Sequence, residues 1–429
     1  MSNLVPFSNY VEVNPARYIP DGLNLTSKVS FVPMADTSES GHWFGNQVRR
    51  LNEVLSGFTN FKNNDVLVAK ITPCFENGKG AFVADLENGV GFGSTEFHVL
   101  RAKQGTCARF IFHVTQWPQF RLSSERFMTG SAGQKRVQTL AFSQFEIADF
   151  GEDEQKNIAT ILDTLDTQIR QTEAIIAKLQ QVKQGLLHDL LTRGIDENGQ
   201  LRPPYEQASE LYKESPLGWI PKEWRVSAAF EFCTEIIDCK NRTPPESPDD
   251  YAVIKTSNIK QGVLVEDGLT YTDEKSYRIW TARGEPKTGD VVITREAPIG
   301  ESFIIEPTMP KMCLGQRMML YRPDLQKARS EFLHLSIMFE LTQRRLLDLA
   351  GGSTVGHVRV GDIRDFLFSL PETQEQRRIE KYAGNIKSRL SFELLELQKL
   401  KKQKAGLMDD LLTGRKRVTE LIEQEKQAS

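Results

Sequence analysis

Two stretches of this sequence are copies of one another, and they decide the fold. EQKNIATILDTLDTQI begins at Glu154 and EQRRIEKYAGNIKSRL begins at Glu375, an offset of 375 − 154 = 221 residues. The offset continues without a gap to KLQQVKQGLLHDLLT from Lys178, which matches KLKKQKAGLMDDLLT from Lys399. A period this long is unlike that of a solenoid and indicates the duplication of a whole domain.

Each copy predicts one long helix with a coiled-coil seam, because apolar residues recur at alternating spacings of four and three. Polar residues interrupt both seams at equivalent places, as the pairs Thr172/Glu393 and Lys183/Lys404. Such interruptions fix register at some expense of stability. The alternative is a seam that drifts to neighbours such as Val182 or Leu187. The predicted seams are Ile158, Leu162, Leu165, Ile169, Thr172, Ile176, Leu179, Lys183, Leu186 and Leu190, then Ile379, Ala383, Ile386, Leu390, Glu393, Leu397, Leu400, Lys404, Leu407 and Leu411.

One seam in each half is most simply buried by pairing the chain's own two helices. An antiparallel pair would relate the two halves by an internal pseudo-twofold axis. The alternative is pairing between two chains as a homodimer. Both alternatives satisfy the heptad pattern, so the sequence leaves them open.

Upstream of each helix, weaker sequence similarities between the two halves predict a globular domain. NDVLVAKITP from Asn64 parallels GDVVITREAP from Gly289, and TGSAGQKRV from Thr129 resembles GGSTVGHVRV from Gly351. Short β-runs and helical stretches mix in both halves, which predicts an α+β class. Prolines and glycines between the halves indicate a linker. The predicted globular domains are 1–150 and 219–371, the predicted helices are 151–193 and 372–425, and the predicted linker is 194–218.

Composition agrees with a globular protein of two or three domains: 39% of the 429 residues are hydrophobic and 26% are charged. The net charge of −3 does not argue against nucleic acid, since phosphate contacts need only local basic patches. The five cysteines and six histidines are scattered, so we expect no structural zinc. Lone cysteines and the lack of a signal-peptide pattern predict a cytoplasmic protein.

Together these features resemble the specificity subunits of type I restriction–modification systems. The resemblance rests on the duplicated α+β domain, the Gly-Ser loop before each helix and the Glu-Gln pair at each helix start. SPLGWIPKEWRV from Ser215, FLFSLPETQEQRRI from Phe366 and ITPCFENGKGAF from Ile71 are similar to family segments. The first half departs from the family: it lacks the Gly-Trp entry, and FEIADFGEDEQ has no Leu-Pro.

The resemblance implies a reader of double-stranded DNA without catalysis of its own. Each target-recognition domain would bind one half of an interrupted, asymmetric site, and the helices would set the gap. Two modification subunits would dock and methylate adenine with S-adenosylmethionine. Two restriction subunits, which use ATP and Mg²⁺, are further implied partners. Because all of these cofactors would be bound by the partner subunits, this chain itself would bind none.

Candidate DNA contacts are basic and amide residues in the repeat-matched loops, because Arg and Lys suit guanine and phosphate, whereas Asn and Gln suit adenine. For each residue a solvated surface charge is the alternative. The two serines are phosphate ligands or plain turn residues. The set is Lys70, Lys79, Ser131, Gln134, Lys135 and Arg136 in the first half, and Arg295, Gln316, Arg317, Ser353, His357 and Arg359 in the second.

Enzyme readings find little support in the motifs. An amino-methyltransferase needs an acceptor before Pro-Pro-aromatic, but this chain has Arg202 there. A Walker motif is absent, and Glu154-Gln155-Lys156, which has the form of a nuclease Glu-x-Lys, opens a helix where a glutamate suits the dipole. A coiled-coil scaffold with protein-binding globular ends remains the second hypothesis.

Overall fold

The structure is a computed structural model that describes residues 3–45, 47–131, 133–351 and 356–418. It divides into two compact units. The first takes in the chain up to Ile175 and again from Glu393 onward, and the second comprises Ile176–Phe392. The divisions therefore fall inside the two long helices rather than at their ends, and each unit includes part of both.

The first unit combines small sheets with helices. Its helices are α1 (Leu51–Val54), α2 (Ala108–Gln116), α3 (Pro118–Ser124), α4 (Leu140–Gln144) and the start of α5 (Glu152–Thr192). Its strands are β1 (Leu4–Pro6), β2 (Val11–Val13), β3 (Lys28–Val32), β4 (Val48–Arg50), β5 (Thr59–Lys62), β6 (Val66–Ala69), β7 (Gly80–Phe82), β8 (Val90–Gly93), β9 (Phe97–Ala102), β10 (Met128–Thr129), β11 (Arg136–Val137) and β12 (Glu146–Ala148).

Two four-stranded sheets organise this unit, in the orders β2-β9-β6-β7 and β4-β3-β8-β5, and β3 pairs with β8 in parallel. The strand β6 reads VLVA and is buried at every position. An uninterrupted apolar run of this kind is typical of a strand covered on both faces. The main core of the unit lies between this sheet, α2 and α3, around Phe110 and Phe120.

The second unit repeats the plan. Its strands are β13 (Tyr212–Ser215), β14 (Gly218–Pro221), β15 (Arg225–Ala228), β16 (Cys233–Asp238), β17 (Tyr251–Ile254), β18 (Ile259–Lys260), β19 (Val263–Leu264), β20 (Thr270–Thr272), β21 (Val291–Thr294), β22 (Ser302–Ile304), β23 (Met312–Leu314), β24 (Met318–Pro323) and β25 (Leu367–Leu370). Its helices are α6 (Ala229–Phe232), α7 (Glu274–Trp280), α8 (Ser330–Met338), α9 (Glu340–Leu349), α10 (Val360–Arg364) and the start of α11 (Thr373–Leu412).

The sheets of the second unit correspond to those of the first. The order β16-β24-β21-β22 matches β2-β9-β6-β7, and the parallel pair β17–β23 matches β3–β8. A buried ion pair is repeated as well: Asp65 binds Arg101 in the first unit, and Asp290 binds Arg322 in the second, each at 2.8 Å. The predicted duplication and the α+β class are confirmed.

The long helices α5 and α11 carry the predicted seams. Every predicted seam position is buried or half-buried, including Thr172, Lys183, Glu393 and Lys404, whereas Val182 is 43% exposed. The seam therefore keeps its polar residues instead of drifting to Val182, while Leu187, the other alternative, is half-buried and packs against the core of the second unit in addition to the seam. The second helix ends at Leu412, earlier than the predicted 425, where Gly414 takes a positive φ of 68° that ends helical geometry.

Within each unit the two helix segments run in opposite directions. In the first unit, Lys404 near the end of α11 binds Asp166 near the start of α5. In the second unit, Leu190 at the end of α5 shares a core with Ile379 and Ala383 at the start of α11. The chain therefore pairs its own helices in the predicted antiparallel sense, so pairing in trans is not needed to bury the seams.

The Glu-Gln pair that opens each helix has a structural task. Gln155 accepts a hydrogen bond from the Cys107 amide at 2.9 Å and donates to the Phe150 carbonyl at 2.8 Å. Gln376 does the same with Arg329 at 2.8 Å and Pro371 at 2.9 Å. Each glutamine thus joins its long helix to the start of α2 or α8.

The glutamates of these pairs bind arginines that follow the other helix. Glu154 binds Arg417 at 2.9 Å, and Glu375 binds Arg202 at 3.1 Å. The sequence-based explanation for Glu154, the helix dipole, therefore accounts for only part of its environment. Arg202, the residue before Pro-Pro-Tyr, therefore has a structural partner in Glu375.

Gln376→Leu is expected to destabilise the second unit by about 2–4 kcal/mol, because it leaves the buried amide of Arg329 and the carbonyl of Pro371 without a partner. Gln376 is fully buried. Urea unfolding followed by fluorescence measures the change. Gln403→Leu on the exposed face of the same helix is the matched control. Equal stability of the two variants would contradict the assignment.

Candidate DNA interface

In the first unit, strand pairing brings the Gly-Ser loop to the end of β6. The Val137 amide donates to the Lys70 carbonyl at 2.9 Å, and Lys70 directly follows β6. The Lys135 amide donates to Thr72 Oγ1 at 3.1 Å, while the Thr72 amide donates to the Lys135 carbonyl at 3.0 Å. Lys70 therefore lies at the same edge as Lys135 and Arg136, which are distant from it in sequence.

The basic side chains here have acidic and carbonyl partners. Arg136 forms a two-pronged ion pair with Glu96, which stands just before β9, with Nε–Oε2 at 2.9 Å and Nη2–Oε1 at 2.8 Å. Hydrogen bonds from Arg136 lower the pKa of the Glu96 carboxyl. Lys70 donates to the Thr95 carbonyl at 2.9 Å, and partial burial lowers the pKa of its amine. We call Lys70, Glu96 and Arg136 the first cradle.

A buried histidine binds the backbone next to this cradle. His98 Nε2 lies 2.9 Å from the Val137 carbonyl, and Nδ1 lies 3.1 Å from Asn14 Nδ2. Burial lowers the pKa of His98 to about 4, so the ring is neutral at pH 7. Because a carbonyl only accepts, Nε2 carries the proton and Nδ1 accepts from Asn14. His98 is not among the residues that the sequence predicted.

The other predicted residues of the first half lie nearby on the same loops. Lys79 is half-buried beside the end of β6, since its carbonyl accepts from the Ala69 amide at 3.0 Å. Ser131 and Gln134 are exposed in the turn between β10 and β11, where the Gln134 amide donates to the Ser131 carbonyl. Their assignment as DNA contacts stays a prediction.

In the second unit the corresponding loop is tied to Arg295, which directly follows β21. The Val358 amide donates to the Arg295 carbonyl at 3.2 Å, and the guanidinium donates back to the Val358 carbonyl at 3.1 Å. The same guanidinium lies 3.4 Å from Asp238. Arg295 is only 3% exposed. It therefore fixes the position of Val358, whereas its prediction as a direct contact is untested.

Gln316, Arg317 and His357 line, together with Arg295, an open cavity of about 540 Å³. Arg317 Nε binds Glu296 Oε2 at 2.8 Å, and His357 Nδ1 binds the other oxygen of Glu296. Gln316 donates to the Asn241 carbonyl at 2.9 Å. The backbone of Arg317 takes a left-handed φ of 70°, an uncommon conformation for a residue other than glycine. We call Arg295, Glu296, Arg317 and His357 the second cradle.

The two cradles are related by the repeat. Lys70 and Arg295 follow equivalent strands, Val137 and Val358 bond to them in the same way, and Arg136 and His357 precede those valines. Arg359 is exposed immediately before α10, where its amide lies 3.3 Å from an Asp362 oxygen. Ser353 lies outside the described residues.

One cluster in the first unit has the composition of a metal site. His113, Asp163 and Asp166 have ligand atoms within 4.8 Å of one another. However, Arg109 already binds Asp163, and Lys404 already binds Asp166. Two cations thus neutralise the two carboxylates, and the cluster is explained as an ion-pair network that attaches α2 to the long helices of this unit.

Among the described residues, no helix is both apolar and long enough to cross a bilayer.

Two repeat-related α+β units, each with a polar cradle at the end of an equivalent strand, define a protein built by domain duplication. The family model described as "Type I restriction modification DNA specificity domain" matches residues 17–181 and 221–401. The chain therefore belongs to this family and contains the domain twice.

Curated relatives carry the corresponding names. The specificity subunit of the type I restriction enzyme EcoAI from Escherichia coli is 40% identical over 135 residues, which are 30% of this chain and 22% of that protein. The EcoEI specificity subunit from Escherichia coli is 23% identical over 465 residues, covering 87% of this chain and 76% of that protein. The chain thus spans only about a fifth of the first of these two relatives.

Solved structures show the same fold. A chain from a study of complex assembly and conformational transition of the type I R-M system has a TM-score of 0.57 at 16% identity, with 96% of this chain and 97% of that chain covered. The S subunit of a type I restriction–modification system from M. genitalium has a TM-score of 0.55 at 13% identity, with 96% of each chain covered. These similarities establish the architecture of the two repeated units.

Proposed function

We propose that this chain reads a bipartite, asymmetric DNA sequence for a type I restriction–modification complex, with one cradle for each half-site. The observation that carries the proposal is the repetition of the cradle in both copies of the specificity domain. Arg136, Arg317 and Arg359 supply donors suited to guanine edges or phosphates, and Gln134 and Gln316 supply amides suited to adenine. The cradles carry residues for recognition rather than for catalysis.

The partners follow from the same proposal. Two modification subunits bind this chain and supply S-adenosylmethionine-dependent methylation of adenine, and two restriction subunits supply ATP- and Mg²⁺-dependent chemistry. The paired helices α5 and α11 set the spacing between the half-sites. Such a complex acts on chromosomal DNA, so we place the chain in the cytoplasm. The competing hypothesis, a coiled-coil scaffold with protein-binding ends, predicts no sequence preference on DNA.

Reconstitution tests the proposal. The purified chain is expected to transfer no methyl group to DNA, whereas a mixture with its methyltransferase partner is expected to methylate adenine at one interrupted sequence. Radiolabelled methyl transfer measures the activity, and native mass spectrometry is expected to find two partners for each chain. Methyl transfer by the isolated chain, or a complex that methylates without sequence preference, would contradict the proposal.

A further inference from the structure

In each cradle a glutamate binds one or two of the basic side chains. Glu96 uses both carboxylate oxygens to bind Arg136. Glu296 uses one oxygen for Arg317, at 2.8 Å, and the other for His357. Arg136 and Arg317, both proposed to read DNA, are therefore paired with carboxylates while DNA is absent, and neither glutamate belongs to the set that the sequence predicted.

Duplication does not account for this similarity. Glu296 follows Arg295, whose counterpart is Lys70, so the repeat places Ile71 opposite Glu296. Glu96, shifted by the 221-residue offset, corresponds to Arg317. The acid therefore comes from the loop before β9 in one unit and from the loop after β21 in the other. Two different positions supply the same partner to the repeat-related residues Arg136 and His357.

The contribution of these pairs to folding is small. The side chains of Arg136 and Arg317 are 44% and 50% exposed, and ion pairs between exposed side chains contribute little to stability. Their effect on ligand choice is larger, because a carboxylate next to a cation repels phosphate. A guanine–cytosine edge offers acceptors to arginine and an amino donor to glutamate, so it satisfies both members of the pair.

We propose that Glu96 and Glu296 are specificity-determining residues that keep the cradle arginines off DNA phosphates and so weaken binding to non-cognate duplex. The inference rests on the proposed function, since it requires the cradles to face DNA. Each glutamate also accepts from a base amino group once its arginine has turned to the base edge. Where a non-cognate base pair at that position does not place an acceptor and an amino donor side by side for the pair, the ion pair stays closed.

The experiment uses the full chain in complex with its methyltransferase and compares Glu96→Gln and Glu296→Gln with the unsubstituted chain. The probes are a duplex of random sequence and a duplex that carries the sequence methylated by the complex, in its unmodified form. The affinity of the complex for each duplex is measured over a range of salt concentrations. Affinity for the random duplex is expected to rise about threefold or more for each arginine released, with a salt slope steeper by about one. Discrimination between the two duplexes is expected to fall by the same factor.

Glu274→Gln is the matched control. It removes the same charge and releases Arg278, which Glu274 binds at 2.6 Å on the exposed helix α7. Random-duplex affinities of the cradle variants that equal the control value would overturn the inference. If the unsubstituted complex itself fails to discriminate, the proposed function is wrong; if it discriminates while the cradle variants match the control, only the inference is wrong.

Arg317→Gln provides a second arm that does not depend on the folding of the glutamate variants. A cation held by Glu296 contributes little to phosphate binding, so its loss is expected to weaken binding to the random duplex less than binding to the sequence that the complex methylates. An equal loss on both duplexes would identify Arg317 as an ordinary phosphate contact and overturn the inference for the second cradle.

Discussion

Replacing residues 219–371 with the corresponding domain of another family member is expected to change one half of the methylated sequence and to leave the other half intact. The reason is that the second cradle is assembled entirely from residues of the second unit, between Asp238 and Val360. Sequencing of methylated adenines in cells that carry the exchanged chain measures the outcome. Replacement of residues 1–150 is the reciprocal control, and a change in both halves from a single exchange would contradict the two-reader proposal.

Single substitutions within the second unit refine that result. Arg317→Ala or Arg359→Ala is expected to weaken binding to the methylated site by roughly 1–3 kcal/mol if the side chain makes a bidentate guanine contact. The loss is then confined to one base pair of one half-site. Loss of a phosphate contact instead lowers affinity equally on every sequence.

Asp290→Ala is expected to destabilise the second unit by about 3–5 kcal/mol, because it leaves the guanidinium of Arg322 without its buried partner. Asp290 is 1% exposed and also accepts a hydrogen bond from the Lys287 amide at 2.8 Å. Urea unfolding measures the change, and Asp65→Ala is expected to have the same effect on the first unit, where Asp65 binds Arg101.

The control for this prediction is Asp267→Ala, an exposed aspartate of the second unit. It removes the same charge without emptying a buried site, so stability is expected to stay unchanged. A loss below about 1 kcal/mol in Asp290→Ala would mean that the repeated Asp–Arg pair is not a structural requirement of the domain.

The long helices could be predicted because their information is local. Seam residues repeat every three or four positions, and the Glu-Gln pair recurs at one offset, so both bounds of α5 lie within one residue of the prediction. The predicted end of α11 was wrong. The charged residues after Leu412 have a composition compatible with a helix, whereas the positive φ of Gly414 interrupts the helical backbone.

The cradles could be predicted only in part. Matching loops identified Lys70, Arg136, Arg317 and His357 as a set, and the structure groups them by unit. Their acidic partners were missed because Glu96 lies 40 residues from Arg136, and Glu296 lies 61 residues from His357. Contacts at such separations depend on strand order, which short β-runs do not specify. The adjacency of Glu296 to Arg295 was the one available signal.

The discontinuity of the first unit has a consequence for synthesis on the ribosome. Its core contains Met408, Leu411 and Leu412 beside Ile158 and Leu162, although residues 176–392 lie between its two segments in the chain. At about 5–20 residues per second, translation of that intervening stretch takes on the order of ten to forty seconds. Throughout this interval the amino-terminal segment exposes apolar surface, whereas the second unit, whose residues are contiguous, can close once Phe392 has been made. Nascent chains halted before Glu393 are therefore expected to be substrates for chaperones and proteases.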